Sequence, residues 1–273
     1  MPGWREVDLD SPQDARLQPY RLRWQGGREP EDGLFLCEGD LTVQRLLHSG
    51  VEVHSLLVTD KQLPRLPACG EREIPLMRLP QEWLPLLAGR GYKSGLYGLG
   101  RRPRIPLLRE WYPAATGMTL VCLPKITTPR NVGAILRVAA GFGVTGVILG
   151  EACSDPFHRL AVRAAMGAGL NLSLARSANM AEDLAWLAEG EGFRCLAAVV
   201  QGTTQSLYEF RRERGDRVAL VLGNEYEGVE EGCLRHCAEG VTIPMAEGVD
   251  SFNVATAAAI LLYELMRPAS VDV

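Results

Sequence analysis

The sequence predicts an α/β protein, in which a mostly parallel sheet carries helices on both faces and a smaller α/β unit precedes it. From Thr119 onward, short apolar runs alternate with segments of helical periodicity, a pattern typical of parallel sheets. A similar alternation occurs before residue 100 and ends in a glycine-rich stretch. A length of 273 residues accommodates one large domain or two ordinary ones. We therefore expect two domains.

The first domain, residues 1–100, is predicted to begin with a loose arm over residues 1–30, because these are polar and include proline and glycine. Apolar runs and capping residues predict the rest of this domain. The predicted elements are the strand Leu34–Glu38, a helix that Asp40 caps and Gly50 ends, the strand Val53–Thr59, and a helix around Leu79–Leu87.

Residues 101–118 are predicted to be a basic linker, stiffened by three prolines within residues 101–113. Cationic side chains suit the phosphates of a nucleic acid. A solvated linker explains the same composition, so both interpretations stay open. The arginines concerned are Arg101, Arg102, Arg104 and Arg109.

The second domain, residues 119–273, is predicted to repeat strand–helix units. Its predicted strands are Thr119–Leu123, Gly146–Leu149, Cys195–Val200, Arg217–Leu222 and Val241–Pro244. Its predicted helices are Val132–Phe142, Arg159–Gly167, Met180–Glu191, Glu230–Cys237 and Val254–Met266, with Pro268 as the final stop. Loops beyond the carboxyl ends of parallel strands line a ligand crevice, so polar residues there are candidates for a site.

Composition argues against a membrane-spanning protein and against a secreted, disulfide-rich one. The longest apolar run, Ala255–Leu262, is too short to span a bilayer, and the N-terminus lacks the apolar core of a secretory signal. Seven scattered cysteines favour a reducing cytoplasm over a disulfide framework. With a net charge of −4, any nucleic-acid binding must use local basic patches. We expect a cytoplasmic protein with no membrane partner.

Two patterns are excluded as ligand sites. Gly141–Gly146 matches the dinucleotide-binding pattern GxGxxG, which must follow a strand and open a helix. Here it ends a predicted helix, so the glycines indicate a helix stop and a turn. Cys233, His236 and Cys237 are neighbours, but no second ligand pair with zinc spacing follows. We predict neither a Rossmann cofactor site nor a metal.

The first candidate segment is the helix after Asn131. Its apolar residues form one stripe at helical spacing, and Arg137 projects about 170° from the centre of that stripe, away from the core. Taken alone, Asn131 is a helix N-cap and Arg137 is a solvated arginine. The two residues form the pattern Asn-x-Gly-x-x-x-Arg.

Two further segments lie at predicted strand ends. In Leu220–Glu225, Gly223 would let backbone approach a ligand closely, and Glu225 stands at the carboxyl end of a strand. The other segment combines Ile243–Met245 with Ser251–Val254, which opens an alanine-rich helix. The serine of that opening is an alternative N-cap, and its asparagine falls in the first helical turn.

Together these segments resemble the SpoU/TrmH family of RNA ribose 2′-O-methyltransferases, a part of the SPOUT superfamily. Glu225 and Ser251 lie 26 residues apart, a spacing similar to that of the family. Phe252 stands where the family usually has leucine. Tyr226 and Glu227 replace small residues, which predicts a different loop shape.

The resemblance implies a fold and an activity. Residues 119–273 would form a trefoil-knotted methyltransferase domain, and residues 1–100 an RNA substrate-binding domain that resembles a ribosomal protein through Phe35–Gly39. The protein would transfer methyl from S-adenosylmethionine to a ribose 2′-hydroxyl of ribosomal or transfer RNA. It would be a homodimer, in which Arg137 serves either the partner's cofactor site or that of its own chain. The helix Val254–Met266, apolar on nearly every face, also predicts a subunit interface.

The resemblance also implies the site residues. Arg137 would bind the substrate and help its hydroxyl to lose a proton, since a guanidinium stays charged and offers no acceptor. The catalytic set is Asn131, Arg137, Glu225, Ser251 and Asn253. The cofactor-binding set is Leu222, Gly223, Asn224, Ile243, Met245, Phe252, Asn253 and Val254. Two alternatives are a knotted methyltransferase that acts on an RNA base, and an RNA-binding protein that retains the fold without catalysis. The complete catalytic set argues against the second.

Overall fold

The computed structural model describes most of the chain, which folds as two compact units. The described residues are 4–24, 32–66, 73–88, 94–200, 204–213 and 215–267. The N-terminal unit combines the residues before 105 with residues 156–171. The C-terminal unit combines residues 105–155 with the chain from residue 172 onward. The predicted stop at Pro268 lies outside the described residues.

Strands and helices are numbered along the chain. The described strands are β1 Trp4–Val7, β2 Leu34–Glu38, β3 Val53–Thr59, β4 Ile74–Leu79, β5 Leu96–Arg101, β6 Thr119–Leu123, β7 Gly146–Gly150, β8 Leu174–Ser177, β9 Phe193–Ala198, β10 Thr204–Ser206, β11 Arg217–Leu222 and β12 Glu239–Thr242. The described α-helices are α1 Gln18–Trp24, α2 Asp40–His48, α3 Leu84–Ala88, α4 Leu108–Trp111, α5 Pro129–Phe142, α6 Arg159–Ala165, α7 Met180–Ala185, α8 Glu231–Leu234 and α9 Val254–Leu265.

The N-terminal unit has a sheet in the order β1-β4-β3-β5-β2. The predicted loose arm is wrong for residues 4–24, because β1 pairs in parallel with β4, and Leu17 and Tyr20 are fully buried. The Tyr20 hydroxyl also hydrogen-bonds to Ser55 Oγ at 2.9 Å. Apolar residues spaced along a mostly polar segment are therefore enough to anchor it to the sheet.

The helix α2 begins as predicted but is capped differently. Its N-cap is Gly39, whereas Asp40 is the first helical residue and makes no capping bond. The predicted helix around Leu79–Leu87 starts two residues later, because Leu79 ends β4; a 3-10 turn over Gln81–Trp83 then leads directly into α3.

Residues 156–171 were predicted to belong to the second domain, yet they pack within the N-terminal unit. Phe157 contacts Phe35, with ring centroids 5.0 Å apart. The Arg45 guanidinium donates a hydrogen bond to the Met166 carbonyl at 2.9 Å. A deletion of residues 1–100 would therefore remove the packing partners of α6.

The predicted linker is wrong as a separate segment, because residues 105–118 are part of the C-terminal unit and include the buried Leu108 and Met118. Its arginines are largely engaged by protein. Arg101 pairs with Glu52 at 2.7 Å, and Arg102 donates to the Leu34 carbonyl at 2.9 Å. Arg109 lies over the Trp186 ring, 5.2 Å from its centroid. The side chains of Arg101 and Arg109 are still 51% and 56% exposed, so these contacts leave both predicted interpretations in place.

The C-terminal unit confirms the predicted α/β fold with a sheet in the order β10-β12-β9-β11-β6-β7-β8, in which all described pairs are parallel. Successive side chains of a strand point to opposite faces. Accordingly Val218 and Leu220 join one hydrophobic cluster, with α5 and α9, while Ala219 and Val221 join another, with α4, α7 and α8. Helices therefore cover both faces. The trefoil knot stays a prediction.

The helix α9 is largely covered by its own chain. It packs on α5, and Tyr263 contacts Phe142 with ring centroids 6.4 Å apart. Only Thr256 and Tyr263 are exposed in this helix. Its apolar character is therefore mostly explained without a partner subunit. No helix in the described ranges is long and apolar enough to cross a membrane.

The helix α5 ends as the glycine pattern predicts. Gly143 is its C-cap, in the left-handed conformation at φ 66°. The glycine run from 141 to 146 therefore leads from a helix into β7 and not from a strand into a helix. This confirms that it is not a dinucleotide-binding loop.

We expect Arg212→Met to lower the free energy of unfolding by about 2–4 kcal/mol, because each buried carbonyl that loses a charged donor is costly. The Arg212 guanidinium donates to Thr119 Oγ1 at 2.8 Å, to the Leu265 carbonyl at 3.1 Å and to the Asp216 carbonyl at 2.8 Å. It thus joins the start of β6, the end of α9 and the chain entering β11. Urea denaturation measures the change. The matched control is Arg211→Met, since the exposed Arg211 side chain donates to carbonyls one and three residues away in the described part of the chain. An equal loss of unfolding free energy in both variants would show that Arg212 does not join these three segments.

Candidate active site

A cavity of about 600 Å³ opens at the carboxyl ends of three adjacent parallel strands, β12, β9 and β11. The cavity therefore lies where a ligand site is expected in an α/β sheet, beyond the carboxyl ends of parallel strands. All eight residues predicted to bind a cofactor line this cavity: Leu222, Gly223, Asn224, Ile243, Met245, Phe252, Asn253 and Val254.

The cavity has an apolar wall and a polar rim. Apolar side chains come from the strand ends and from the first turns of α9. The polar part comes from the loop 223–228 and from the Ser251–Asn253 segment. A mainly apolar pocket with a few placed polar groups is the usual form of a cofactor site.

Asn224 organises the loop that follows β11. Its backbone N–H donates to the Gly228 carbonyl at 2.8 Å, and the Gly228 N–H donates back to the Asn224 carbonyl at 3.0 Å. The Asn224 side chain accepts from the Tyr226 N–H at 2.9 Å and donates to the Lys125 carbonyl at 3.1 Å. Its amide group is thus used within the protein, so Asn224 shapes the cavity through the loop.

Gly223 is required for a reason that differs from the predicted one. A Cβ atom there would overlap the Gly228 carbonyl carbon and the Val229 amide nitrogen, and would lie 2.6 Å from the Gly228 oxygen. The space beside Gly223 is therefore filled by the backbone of Gly228 and Val229, where the loop returns, and is not left open for a ligand.

Three predicted catalytic residues form one hydrogen-bonded chain. Asn131 Nδ2 donates to Glu225 Oε1, and Asn253 Nδ2 donates to Asn131 Oδ1 at 3.2 Å. These residues come from α5, the loop after β11 and the start of α9. The side chains thus tie three chain segments together beside the cavity, which Glu225 and Asn253 line.

The helix caps differ from the predicted ones at both Asn131 and Asn253. Thr128 is the N-cap of α5, so Asn131 lies in the first turn and its side chain is not used as a cap. Asn253 is the N-cap of α9, and its Oδ1 accepts from the Ala255 N–H at 3.0 Å. Ser251 precedes this cap and is exposed at the cavity. Capping therefore explains Asn253 in part but does not explain Asn131.

Glu225 keeps one carboxylate oxygen without a partner. Its Oε2 is buried and has no hydrogen bond to any described residue. A buried acceptor of this kind is costly unless a donor completes it. The arrangement therefore suits a ligand that brings an N–H or O–H group to the cavity wall.

Arg137 lies apart from this chain of side chains. Its side chain is exposed and makes no hydrogen bond or ion pair with another residue of the described ranges. Relative to Asn131 it is about 9 Å farther along the helix axis and about 120° around it. Arg137 and Asn131 do not line the cavity, whereas Glu225, Ser251 and Asn253 do.

Lys125 is not among the predicted site residues, yet it lies just beyond the carboxyl end of β6. Its ammonium pairs with Glu227 Oε2 at 2.6 Å, and this carboxylate raises the pKa of Lys125. The strand-end rule would have found it, since it applies to β6 as it does to β11. The pair anchors the loop 223–228 from outside.

Cys233 and Cys237 pack into the hydrophobic cluster beside α4, α7 and α8. Burial raises the pKa of Cys233 to about 11 and that of Cys237 to about 12. Cys237 Sγ donates to the Cys233 carbonyl at 3.3 Å. Among the residues that the structure describes, no group of three or more His, Cys, Asp or Glu side chains is placed to hold a metal ion.

Comparison with known proteins identifies the family. Residues 118–263 match the SpoU rRNA Methylase family. An uncharacterized tRNA/rRNA methyltransferase of Mycobacterium bovis is 34% identical over 95% of this chain and 91% of its own length. The 23S rRNA (guanosine-2′-O-)-methyltransferase RlmB of Yersinia pestis is 31% identical over 68% of this chain and 76% of its own length. The crystal structure of an AdoMet-bound rRNA methyltransferase of Sinorhizobium meliloti has a TM-score of 0.78 at 26% identity, covering 97% of this chain and 98% of that one. Since the matched segment holds the cavity and all the predicted site residues, the chain belongs to the SpoU rRNA methylase family.

Proposed function

We propose that this protein transfers methyl from S-adenosylmethionine to a ribose 2′-hydroxyl of ribosomal RNA. The observation that carries the proposal is the strand-end cavity beside the hydrogen-bonded chain Asn253–Asn131–Glu225. The activity in the name of the Yersinia pestis relative supports the 2′-hydroxyl and the ribosomal substrate. Transfer RNA is the second substrate class, as in the name of the Mycobacterium bovis relative.

The cavity fits the proposed cofactor. Its volume of about 600 Å³ falls within the range of small-molecule sites, roughly 300–1,000 Å³. Leu222, Ile243 and Met245 would hold the apolar parts, and the unpartnered Glu225 Oε2 would accept from an N–H or O–H group. The cofactor supplies methyl on a cationic sulfur, which is already a good electrophile. The protein must then mainly align the hydroxyl and assist the loss of its proton.

We assign distinct roles to the five candidate catalytic residues. Asn131 would orient Glu225 through its hydrogen bond to the carboxylate, and Asn253 would hold Asn131 in place. Ser251, exposed at the cavity, would contact the ribose or the cofactor. Arg137 would bind the substrate phosphate or ribose and favour the deprotonated hydroxyl by its charge.

We also propose a homodimer. Arg137 is turned away from the Asn131 side of α5, which suits a contribution to the cavity of a partner subunit. The exposed Tyr263 on the adjoining α9 offers part of an interface. Light scattering during dilution tests this, and a monomer with full activity would contradict it.

The N-terminal unit is proposed to bind RNA. The similarity to the Mycobacterium bovis relative spans 95% of the chain and so includes this unit. Binding through phosphates weakens steeply with salt. RNA affinity of the intact protein that does not change with salt would contradict phosphate-based recognition.

The decisive experiment locates the methyl group. Ribosomal RNA from cells that lack this protein is incubated with the protein and tritiated S-adenosylmethionine, and is then hydrolysed in alkali. A 2′-O-methyl group blocks attack of that oxygen on the neighbouring phosphate, so label is expected in alkali-resistant dinucleotides. Label in mononucleotides would indicate base methylation. RNA binding without any incorporation would indicate the non-catalytic alternative.

A further inference from the structure

We propose that Tyr226 is a stacking platform for a nucleobase of the RNA substrate, at the mouth of the cofactor cavity. This inference rests on the proposed function and adds a residue that contacts the substrate. Tyr226 is 94% exposed and is the most exposed large apolar side chain of the described residues. It also borders the cavity.

The backbone of Tyr226 is held in place by the hydrogen bonds of its loop. Tyr226 lies inside a turn that Asn224 closes through its side chain and through two backbone hydrogen bonds to Gly228. The Lys125–Glu227 ion pair anchors the next residue. The backbone that carries the exposed ring is therefore ordered before binding, which lowers the entropic cost of binding a planar ligand.

The ligand chemistry follows from the position of the ring. Tyr226 is adjacent to Glu225, the carboxylate in the hydrogen-bonded chain at the cavity wall. A ribose that reaches this cavity brings its own base, or a neighbouring one, to the rim. Unstacked RNA bases are commonly recognised by aromatic side chains. Phe252, 40% exposed, borders the same cavity and provides a second aromatic surface.

The cofactor's adenine is a less suitable partner for this ring. A ring positioned to stack on a ligand deep in the cavity would be enclosed by the neighbouring lining residues, whereas Tyr226 lines the cavity only at its mouth. Tyr226 has nearly all of its surface in solvent. The geometry therefore favours a large ligand that arrives from outside.

The test compares Tyr226→Ala, Tyr226→Phe and the matched control Tyr208→Ala. Tyr208 is an exposed tyrosine of the same unit, at 76%, and does not line the cavity. The probe is a fluorescein-labelled oligoadenylate of about 12 nucleotides, and its affinity is measured by anisotropy. Tyr226→Ala is expected to weaken binding roughly 5- to 150-fold, the range for loss of one stacked base. Tyr226→Phe should stay within about twofold, because the ring is kept, and Tyr208→Ala should match the wild type.

Further readouts separate the other roles of the ring. The salt dependence of binding should be the same in Tyr226→Ala and the wild type, because no phosphate contact is lost. Unchanged oligoadenylate affinity in Tyr226→Ala would overturn the proposal. A matching loss of S-adenosylmethionine affinity in calorimetry would instead assign the ring to the cofactor, and a shift in sedimentation would assign it to contact between copies of the chain.

Failure of this proposal is distinguishable from failure of the proposed function. A wild-type protein that forms alkali-resistant dinucleotides, with a Tyr226→Ala variant that binds RNA normally, would overturn stacking alone. Tyr226-dependent RNA binding without ribose methylation would overturn the proposed function alone.

Discussion

The Arg137→Ala variant is expected to bind S-adenosylmethionine with wild-type affinity and to transfer methyl about 10²–10⁴-fold more slowly, the usual cost of losing a group that assists proton transfer. Arg137 does not line the cavity, so cofactor binding should not depend on it. It is exposed and unpaired within the described ranges, so folding should be unaffected. Calorimetry and a tritiated-methyl assay on one preparation measure both effects.

Two substitutions sharpen the interpretation. Arg137→Lys should restore little activity, since an ammonium does not reproduce the planar fork of a guanidinium. Arg235→Ala is the control, because Arg235 is an exposed arginine of the same unit. Its ion pair with Glu231 is exposed to solvent and therefore contributes little to stability. Wild-type transfer by Arg137→Ala would show that Arg137 is only a surface arginine.

The same variant tests whether the site is shared between subunits. If Arg137 serves the partner's cavity, a mixture of Arg137→Ala with a variant inactivated at Asn253 should recover activity. Mixed dimers would hold one intact site, so about a quarter of wild-type activity is expected after random exchange. No recovery despite subunit exchange would place Arg137 at the cavity of its own chain.

Central strands were predictable because they are buried on both faces and read as continuous apolar runs, as in β6 and β11. Three of the missed strands, β1, β8 and β10, are at sheet edges and carry polar residues. A fourth, β5, was hidden by its glycines. A Cβ on Gly100 would lie 2.7 Å from the Phe35 ring, so packing selects glycine there. The remaining missed strand, β4, contains Pro75, which weakens the sequence signal for a strand.

The position of the cavity was predictable, whereas the partners of its residues were not. Strand ends and the family motifs selected the lining residues after β11, after β12 and at the start of α9, but not those at the end of β9, such as Val199 and Val200. No periodicity indicates that Asn131 meets Glu225, 94 residues away, because that contact depends on how α5 and β11 pack. The helix start also mattered: Pro129 begins α5 two residues before Asn131, which moves Asn131 from the predicted cap into the first turn.

Gly223→Ala is expected to destabilise the protein by about 1–3 kcal/mol, the usual cost of forcing extra volume into a packed site, and to abolish measurable cofactor binding. The added methyl would overlap the backbone of Gly228 and Val229, which has no flexible side chain to move aside. Relief would require the turn to open, with loss of the paired Asn224–Gly228 hydrogen bonds that shape the cavity rim. The first consequence is therefore a damaged loop, and the loss of cofactor follows from it.

Gly141→Ala provides the matched control, because it makes the same chemical change at a helical position with open space around it. Replacing a glycine within a helix by alanine should stabilise the protein by about 0.5–1 kcal/mol, so the two variants should shift the urea midpoint in opposite directions. Calorimetry with S-adenosylmethionine should then show binding to Gly141→Ala and none to Gly223→Ala. If Gly223→Ala lost cofactor binding at wild-type stability, the methyl would be blocking the ligand directly, and the space beside Gly223 would belong to the cofactor and not to the returning loop.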